Sequence, residues 1–193
     1  MKTPRRRDAL AAVLALVATP AFAIDLPAVM ALLAQRKSGQ ARFTEERVVS
    51  GFDSPLRSSG TLSFQAPDRF TRQTLEPRAE SMEVNGNQLV LQRGGRTRTM
   101  ALDAVPELAA LVDAIRGTLG GDATLLKKHF RTDISGSDAQ WVLALTPLDK
   151  RLAEQVPGIE IVGQNGDLRS VELRLRGGDR SLMLIDPLKA APK

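Results

Sequence analysis

Side chains able to do covalent chemistry are few in this 193-residue chain, and they stand apart from one another. It holds one histidine and neither cysteine nor tyrosine, which removes thiol nucleophiles, histidine pairs and most metal sites. His129 follows Lys127-Lys128 and precedes Phe130 near the end of an expected helix. With no partner in the local sequence, it reads as a helix-end side chain rather than a general base. Ser135-Gly136-Ser137-Asp138 lacks the strand-to-helix frame of a nucleophile elbow and reads as a turn. Apart from Glu45-Glu46, acidic residues are scattered singly, and pairings across a fold cannot be read from one sequence. The expectation is a protein that is not an enzyme, with no metal and no cofactor. A hydrolase assembled from residues distant in sequence stays as an alternative, to be tested by His129→Ala.

The remaining charged groups with a suggestive spacing are arginines. Arg93, Arg96 and Arg98 flank Gly94-Gly95, and Arg174, Arg176 and Arg180 flank Gly177-Gly178. As solvated charges on an outer face they need no function. The alternative for Arg93, Arg96 and Arg98 is docking to anionic headgroups or to a transporter. Nucleic acid is set aside as a partner. The whole chain carries a formal charge of +5 from 27 basic and 22 acidic residues, but four of the basic ones and one acidic one lie in the first 23 residues. Without that segment, 23 basic against 21 acidic residues leave +2, spread out rather than gathered in one basic block.

That first segment is an address. Lys2 and Arg5 to Arg7 form a positive start, Ala9 to Val17 an apolar run, and Ala21-Phe22-Ala23 a small-x-small end. It reads as an export signal cleaved after Ala23. The apolar run is well short of the ~20 residues that cross a bilayer. Arg6-Arg7 also resembles a twin-arginine signal, although Sec export is the simpler reading. Ile24 follows, and with no cysteine the mature end cannot be lipidated through a thiol, so a freely diffusing periplasmic protein is expected. Residues 24–193 have the length of one domain, and without disulfides its stability must come from its core.

The elements follow from hydrophobic period. Asp25 can cap a helix over Leu26–Lys37, with Val29, Leu32, Leu33 and Arg36 on one face and Gly39 suited to its end. From Gln40 to Ala101 the period becomes two: Phe43, Leu62 with Phe64, Met82 with Val84, and Leu89 with Leu91 alternate along short strands. Asn85-Gly86 and Gly94-Gly95 mark tight turns between them. Leu108, Leu111, Val112 and Ile115 then recur at i, i+3, i+4 and i+7 in an amphipathic helix from Pro106 to about Gly117, and Asp122 can cap a second helix carrying Leu125, Leu126 and Phe130. Strands resume at Trp141, Leu143 and Leu145, then at Ile159 and Ile161, and at Val171, Leu173 and Leu175. Hairpin signals at Asn165-Gly166 and Gly177-Gly178 predict that strands near 158–163, 168–176 and 180–186 pair in sequence. The expected fold is mainly β with α: one long, curved antiparallel sheet with helices against its inner face, and a frayed tail from Lys189 to Lys193.

In this order, Ala41-Arg42-Phe43-Thr44-Glu45, Ser59-Gly60-Thr61-Leu62-Ser63-Phe64, Ala66-Pro67-Asp68-Arg69-Phe70, Val84-Asn85-Gly86-Asn87-Gln88-Leu89 and Ile159-Glu160-Ile161 to Leu175 resemble the periplasmic outer-membrane lipoprotein carrier family, the LolA-like proteins. The resemblance covers most of the mature chain and lies in order and spacing more than in any one motif. It implies an unclosed β-barrel with helices as a lid over an apolar cavity that receives acyl chains. The family carries lipoproteins from an inner-membrane donor transporter to an outer-membrane acceptor, without covalent chemistry.

On that basis the expected cavity residues are Leu62, Phe64, Phe70, Met82, Val84, Leu89, Leu91, Leu143, Leu145, Val171, Leu173 and Leu182, under a lid carrying Leu108, Leu111, Val112 and Ile115. A bulky residue at Leu89 or Leu143 is then expected to lower uptake. Three departures point to a divergent branch with another lipid-like cargo: Ala66 replaces a basic residue that the family associates with holding the lid, the strand at Leu89-Val90-Leu91 is aliphatic where aromatic residues are usual, and the chain stops soon after Pro187. A monomer is expected. An envelope lipid sensor or regulatory module with the same barrel is the second reading.

Overall fold

The computed structural model describes residues 24–188. The expected export signal, residues 1–23, and the tail Lys189–Lys193 lie outside the described residues. The first helix, α1 (Leu26–Ala34), starts where Asp25 accepts a hydrogen bond from the Ala28 backbone N–H at 2.8 Å. It ends three residues earlier than the periodicity predicts, because the next strand begins at Ser38 and takes Gly39 into the sheet.

Eleven strands then form one antiparallel sheet: β1 (Ser38–Val48), β2 (Leu56–Gln65), β3 (Arg69–Glu76), β4 (Glu80–Asn85), β5 (Gln88–Arg93), β6 (Arg96–Ala101), β7 (Phe130–Ser137), β8 (Gln140–Pro147), β9 (Gly158–Gln164), β10 (Asp167–Arg174) and β11 (Arg180–Pro187). Their spatial order is β6-β5-β4-β3-β2-β1-β11-β10-β9-β8-β7. The last strand therefore pairs with the first at the centre of the sheet, with Phe43 opposite Ile185. Two meanders meet there, and the sheet stays unclosed between its edges β6 and β7. Register shifts at Ser59/Gly60 and Leu168/Ser170 interrupt the ladders on either side of that centre, and such bulges bend and twist a sheet. Ser135-Gly136-Ser137, expected in a turn, lie in β7 instead, and the chain reverses at Asp138-Ala139.

The gap between the edges is crossed by α2 (Pro106–Gly120) and α3 (Ala123–His129). Gly117 does not end α2. The helix runs on to Gly120 and is closed by Gly121 at φ 69°, in the left-handed region that glycine tolerates. Gly117 instead makes room for α3, since a Cβ there would lie 2.8 Å from Leu126. Asp122 caps α3 through the Leu125 N–H at 2.9 Å. A short helix that the periodicity did not predict, α4 (Lys150–Gln155), is capped in the same way by Asp149. No helix among the described residues is long and apolar enough to cross a membrane.

Two solid apolar clusters flank the middle of the sheet. The larger joins α1, α3 and α4 to Phe130, Trp141, Leu143, Leu145, Ile159 and Ile161. The smaller packs Val112 of α2 on Val84, Leu89 and Leu102. Trp141 is fully buried, and its indole N–H donates to the Asn165 carbonyl at 2.9 Å. Its ring lies over Gly163, where a Cβ would stand 2.0 Å from Cζ2. Gly163→Ala is therefore expected to lower stability by about 1–3 kcal/mol through overpacking, measured as a lower denaturant midpoint at unchanged slope. A midpoint equal to wild type would show that the indole can give way.

Candidate functional site

Between the two clusters, inward residues that would be fully buried in a solid core are only partly covered. Leu62 of β2, Phe70 of β3, Met82 of β4, Val171 and Leu173 of β10, and Met183 and Ile185 of β11 are all half-buried. They surround a cavity of about 390 Å³ under α2, within the roughly 300–1,000 Å³ of small-molecule sites. The roof is the apolar stripe of α2, Leu108, Leu111, Val112, Ile115 and Leu119, all four residues expected from its i, i+3, i+4, i+7 spacing among them. Phe64, Ile159, Ile161 and Leu168 complete the apolar wall.

Of the sequence-predicted cavity residues, Leu62, Phe64, Phe70, Met82, Val171 and Leu173 line this space. Val84 and Leu89 face the same way but are spent in the cluster with Val112, against which Leu91 also packs. Leu143 and Leu145 are fully buried against α1 and α3. Alternation identifies the concave face but not which part of it another element already fills. Leu182 is on the wrong face. It pairs with Glu46 and Glu172 and lies in a groove of about 460 Å³ on the convex side, beside Arg180 and Leu184, while its neighbours Ser181 and Met183 point inward. A one-residue slip reverses a strand's faces, and Ser181, a buried polar residue on the inner face, disguised this register.

Sequence reasoning also missed a polar group in the wall. Glu45 of β1 accepts hydrogen bonds from Ser181 Oγ at 2.5 Å and Ser58 Oγ at 3.1 Å, and from Arg72 Nη2. Arg72 comes from β3, and its guanidinium lies 4.7 Å above the Phe43 ring. Gly60 of β2 lies close under its neighbours here. A Cβ there would stand 1.9 Å from the Gln73 carbonyl oxygen and 3.0 Å from the Phe43 ring. Burial pushes the Glu45 carboxyl up, but the Ser181 hydrogen bond, the Arg72 charge and the Ser58 hydrogen bond outweigh it and hold it below the usual glutamate range. With the folded-state pKa below the unfolded one, this cluster stabilises the fold above about pH 4.3, and that contribution is lost as pH falls through the lowered value. The melting temperature of wild type should therefore fall more steeply than that of Glu45→Gln in acid. Parallel profiles would show that the ionised carboxylate adds no stability.

The roof is tied to the sheet by Arg116 of α2, whose Nη2 donates to the Asp68 carbonyl at 3.2 Å and to the Gly86 carbonyl. These are turn residues between β2 and β3 and between β4 and β5. Asp113 stands 3.7 Å from Arg116 Nη1 and 3.0 Å from His129 Nε2. His129 thus has a partner from another element that the local sequence did not show, and that partner links α3 to the roof.

Arg93, Arg96 and Arg98 do not lie on the convex face. Arg98 pairs with Leu91 and Arg93 with Arg96, which puts them on the concave side of the exposed edge hairpin, where Arg93 meets Glu80 at 2.8 Å. Among the described residues, no three His, Cys, Asp or Glu side chains are grouped to hold a metal ion.

No curated protein sequence matches the chain. Among solved structures, a LolA superfamily protein from Nitrosomonas europaea is 12% identical with a TM-score of 0.45, covering 86% of this chain and 93% of that one. A DUF1329 family protein from Desulfovibrio piger is 9% identical with a TM-score of 0.44, over 83% of this chain and 88% of that one. The lipoprotein LppX of Mycobacterium tuberculosis is 8% identical with a TM-score of 0.41, over 86% and 98%. The family described as outer membrane lipoprotein carrier protein LolA-like matches residues 18–191. With a match of that extent, the chain belongs to the LolA-like family of outer-membrane lipoprotein carrier proteins.

Proposed function

We propose that the protein is a periplasmic carrier that shields the acyl chains of a lipoprotein or another lipid-like cargo and ferries them from the inner toward the outer membrane. The observation that carries this reading is the roofed apolar cavity itself: half-buried leucine, methionine, phenylalanine and valine side chains face open space rather than one another. Each methylene taken from water contributes about 0.8 kcal/mol, so ten give about 8 kcal/mol before ordering costs, enough for micromolar binding. A carrier of that strength holds its cargo and still gives it up. An inner-membrane donor and an outer-membrane acceptor are the partners this role requires, and export through a cleaved signal supplies the location.

The test is lipid analysis by mass spectrometry of protein purified from its native envelope. A stoichiometric acyl lipid is expected. Protein that is free of lipid, and that takes up none from donor vesicles, would overturn the reading. A stable complex with a membrane signalling protein, without net lipid transfer, would favour the sensor instead.

In this reading Arg93, Arg96 and Arg98, exposed on the edge hairpin of the sheet, meet anionic headgroups or a donor. Reversal of the three charges should slow delivery to anionic vesicles and leave the fold intact. Delivery at the wild-type rate would remove the docking role.

A further inference from the structure

Polar side chains gather at two places in the otherwise apolar cavity wall. Arg36 and Asp167 form a 2.5 Å ion pair with exposures of 45% and 27%, at the rim. The Arg72–Glu45 pair lies deeper, at 27% and 16%. Its hydrogen bonds define what it can still accept. Ser181 and Ser58 both give their protons to Glu45, so their oxygens retain only acceptor capacity. Arg72 uses Nη2 on Glu45 and, at 3.4 Å, on Ser58, while its buried Nε has no hydrogen-bond partner among the described residues. The Phe43 ring covers one face of the guanidinium. A new acceptor must therefore approach near the guanidinium plane, from the cavity.

We propose that Arg72, Glu45 and Ser181 seat the neutral linkage of a bound acyl chain, an amide or an ester, and discriminate against free fatty acids. This rests on the carrier reading and deepens it. The pair is already neutral, so a carbonyl oxygen can accept from Arg72 without adding charge to a low-dielectric cavity. A fatty-acid carboxylate would stand beside Glu45 and leave an uncompensated negative charge. An amide also matches Ser181, which lines the cavity, since its N–H can donate to that oxygen, whereas an ester offers no donor. The expected order is amide, then ester, then acid.

The experiment strips the purified mature protein of lipid, loads it with a fluorescent naphthalene probe, and displaces the probe at neutral pH with N-methyldodecanamide, methyl dodecanoate or dodecanoate. The amide should compete at a free concentration about tenfold lower than dodecanoate. Arg72→Met should remove most of the amide's advantage, and Glu45→Gln should strengthen dodecanoate and so narrow its gap to the amide. Ser181→Ala, the mildest change, should bring amide and ester together. Equal competition by all three ligands, or a wild-type order that survives these substitutions in folded variants, would overturn the proposal while leaving the carrier reading intact. If none of the three displaces the probe, the carrier reading fails and the proposal fails with it.

Discussion

Leu62→Trp is expected to weaken acyl-chain binding at least about tenfold while the protein stays folded. Leu62 sits on the concave face, opposite Ala41 on one side and Arg72 on the other, and its half-buried side chain borders the cavity. An indole there grows into about 390 Å³ of open space rather than into neighbouring atoms. Displacing two methylenes of the cargo suffices for the effect, at about 0.8 kcal/mol each. The same substitution at Leu89 or Leu143, the positions favoured by the sequence, acts through stability instead, because both side chains are fully buried in filled clusters. Overpacking there costs about 1–3 kcal/mol or more. Titration with a fluorescent fatty-acyl probe alongside thermal melting separates the two effects. Unchanged uptake in Leu62→Trp would show that cargo does not occupy this part of the cavity.

Arg116→Met is expected to release bound cargo about 10- to 100-fold faster. The arginine is 16% exposed and ties α2 to two turns of the sheet. A hydrogen bond from a charged donor contributes about 1.5–3 kcal/mol, and losing one or both converts into that range of rates when opening of the roof limits escape. Methionine keeps the apolar stem and removes only the donors. Asp113→Asn should have a smaller effect, since at 3.7 Å it supports Arg116 rather than making the attachment. Stopped-flow transfer of a fluorescent lipid to acceptor vesicles measures both, and wild-type release from Arg116→Met would remove the latch.

This attachment bears on the departure at Ala66. The family resemblance implies a basic residue there that holds the lid from the sheet side. In this chain the arginine belongs to α2 and reaches the carbonyl of Asp68, two residues beyond Ala66. Here the donor is on the roof and the acceptors are on sheet turns. Arg116 could not be singled out from sequence, because it lies on the flank of an amphipathic helix where an arginine ordinarily faces water.

Local rules carried far along this chain because its local signals agree with its fold. Asp25 and Asp122 cap the helices they were expected to cap. The apolar stripe of α2 roofs the cavity, and the hairpins at Gly94-Gly95 and Asn165-Gly166 set the pairing of β5 with β6 and of β9 with β10. Side-chain period and turn chemistry act over a few residues, so one strand's sequence is enough to reveal them. What they could not reveal is where two distant segments compete for the same face. The pairing of β1 with β11 joins Ala41–Val48 to Arg180–Pro187 across most of the chain, and it brings Ser181 to Glu45. Whether an inward leucine meets cavity or core depends on which helix lies over it. Leu62 and Leu143 have the same local pattern, yet one borders open space and the other is sealed under helices of the larger cluster. The residue types and their period alone determined a mainly β chain with an apolar inner face. Only the tertiary structure decided which part of that face stays empty, because emptiness is the absence of a partner and no single strand encodes it.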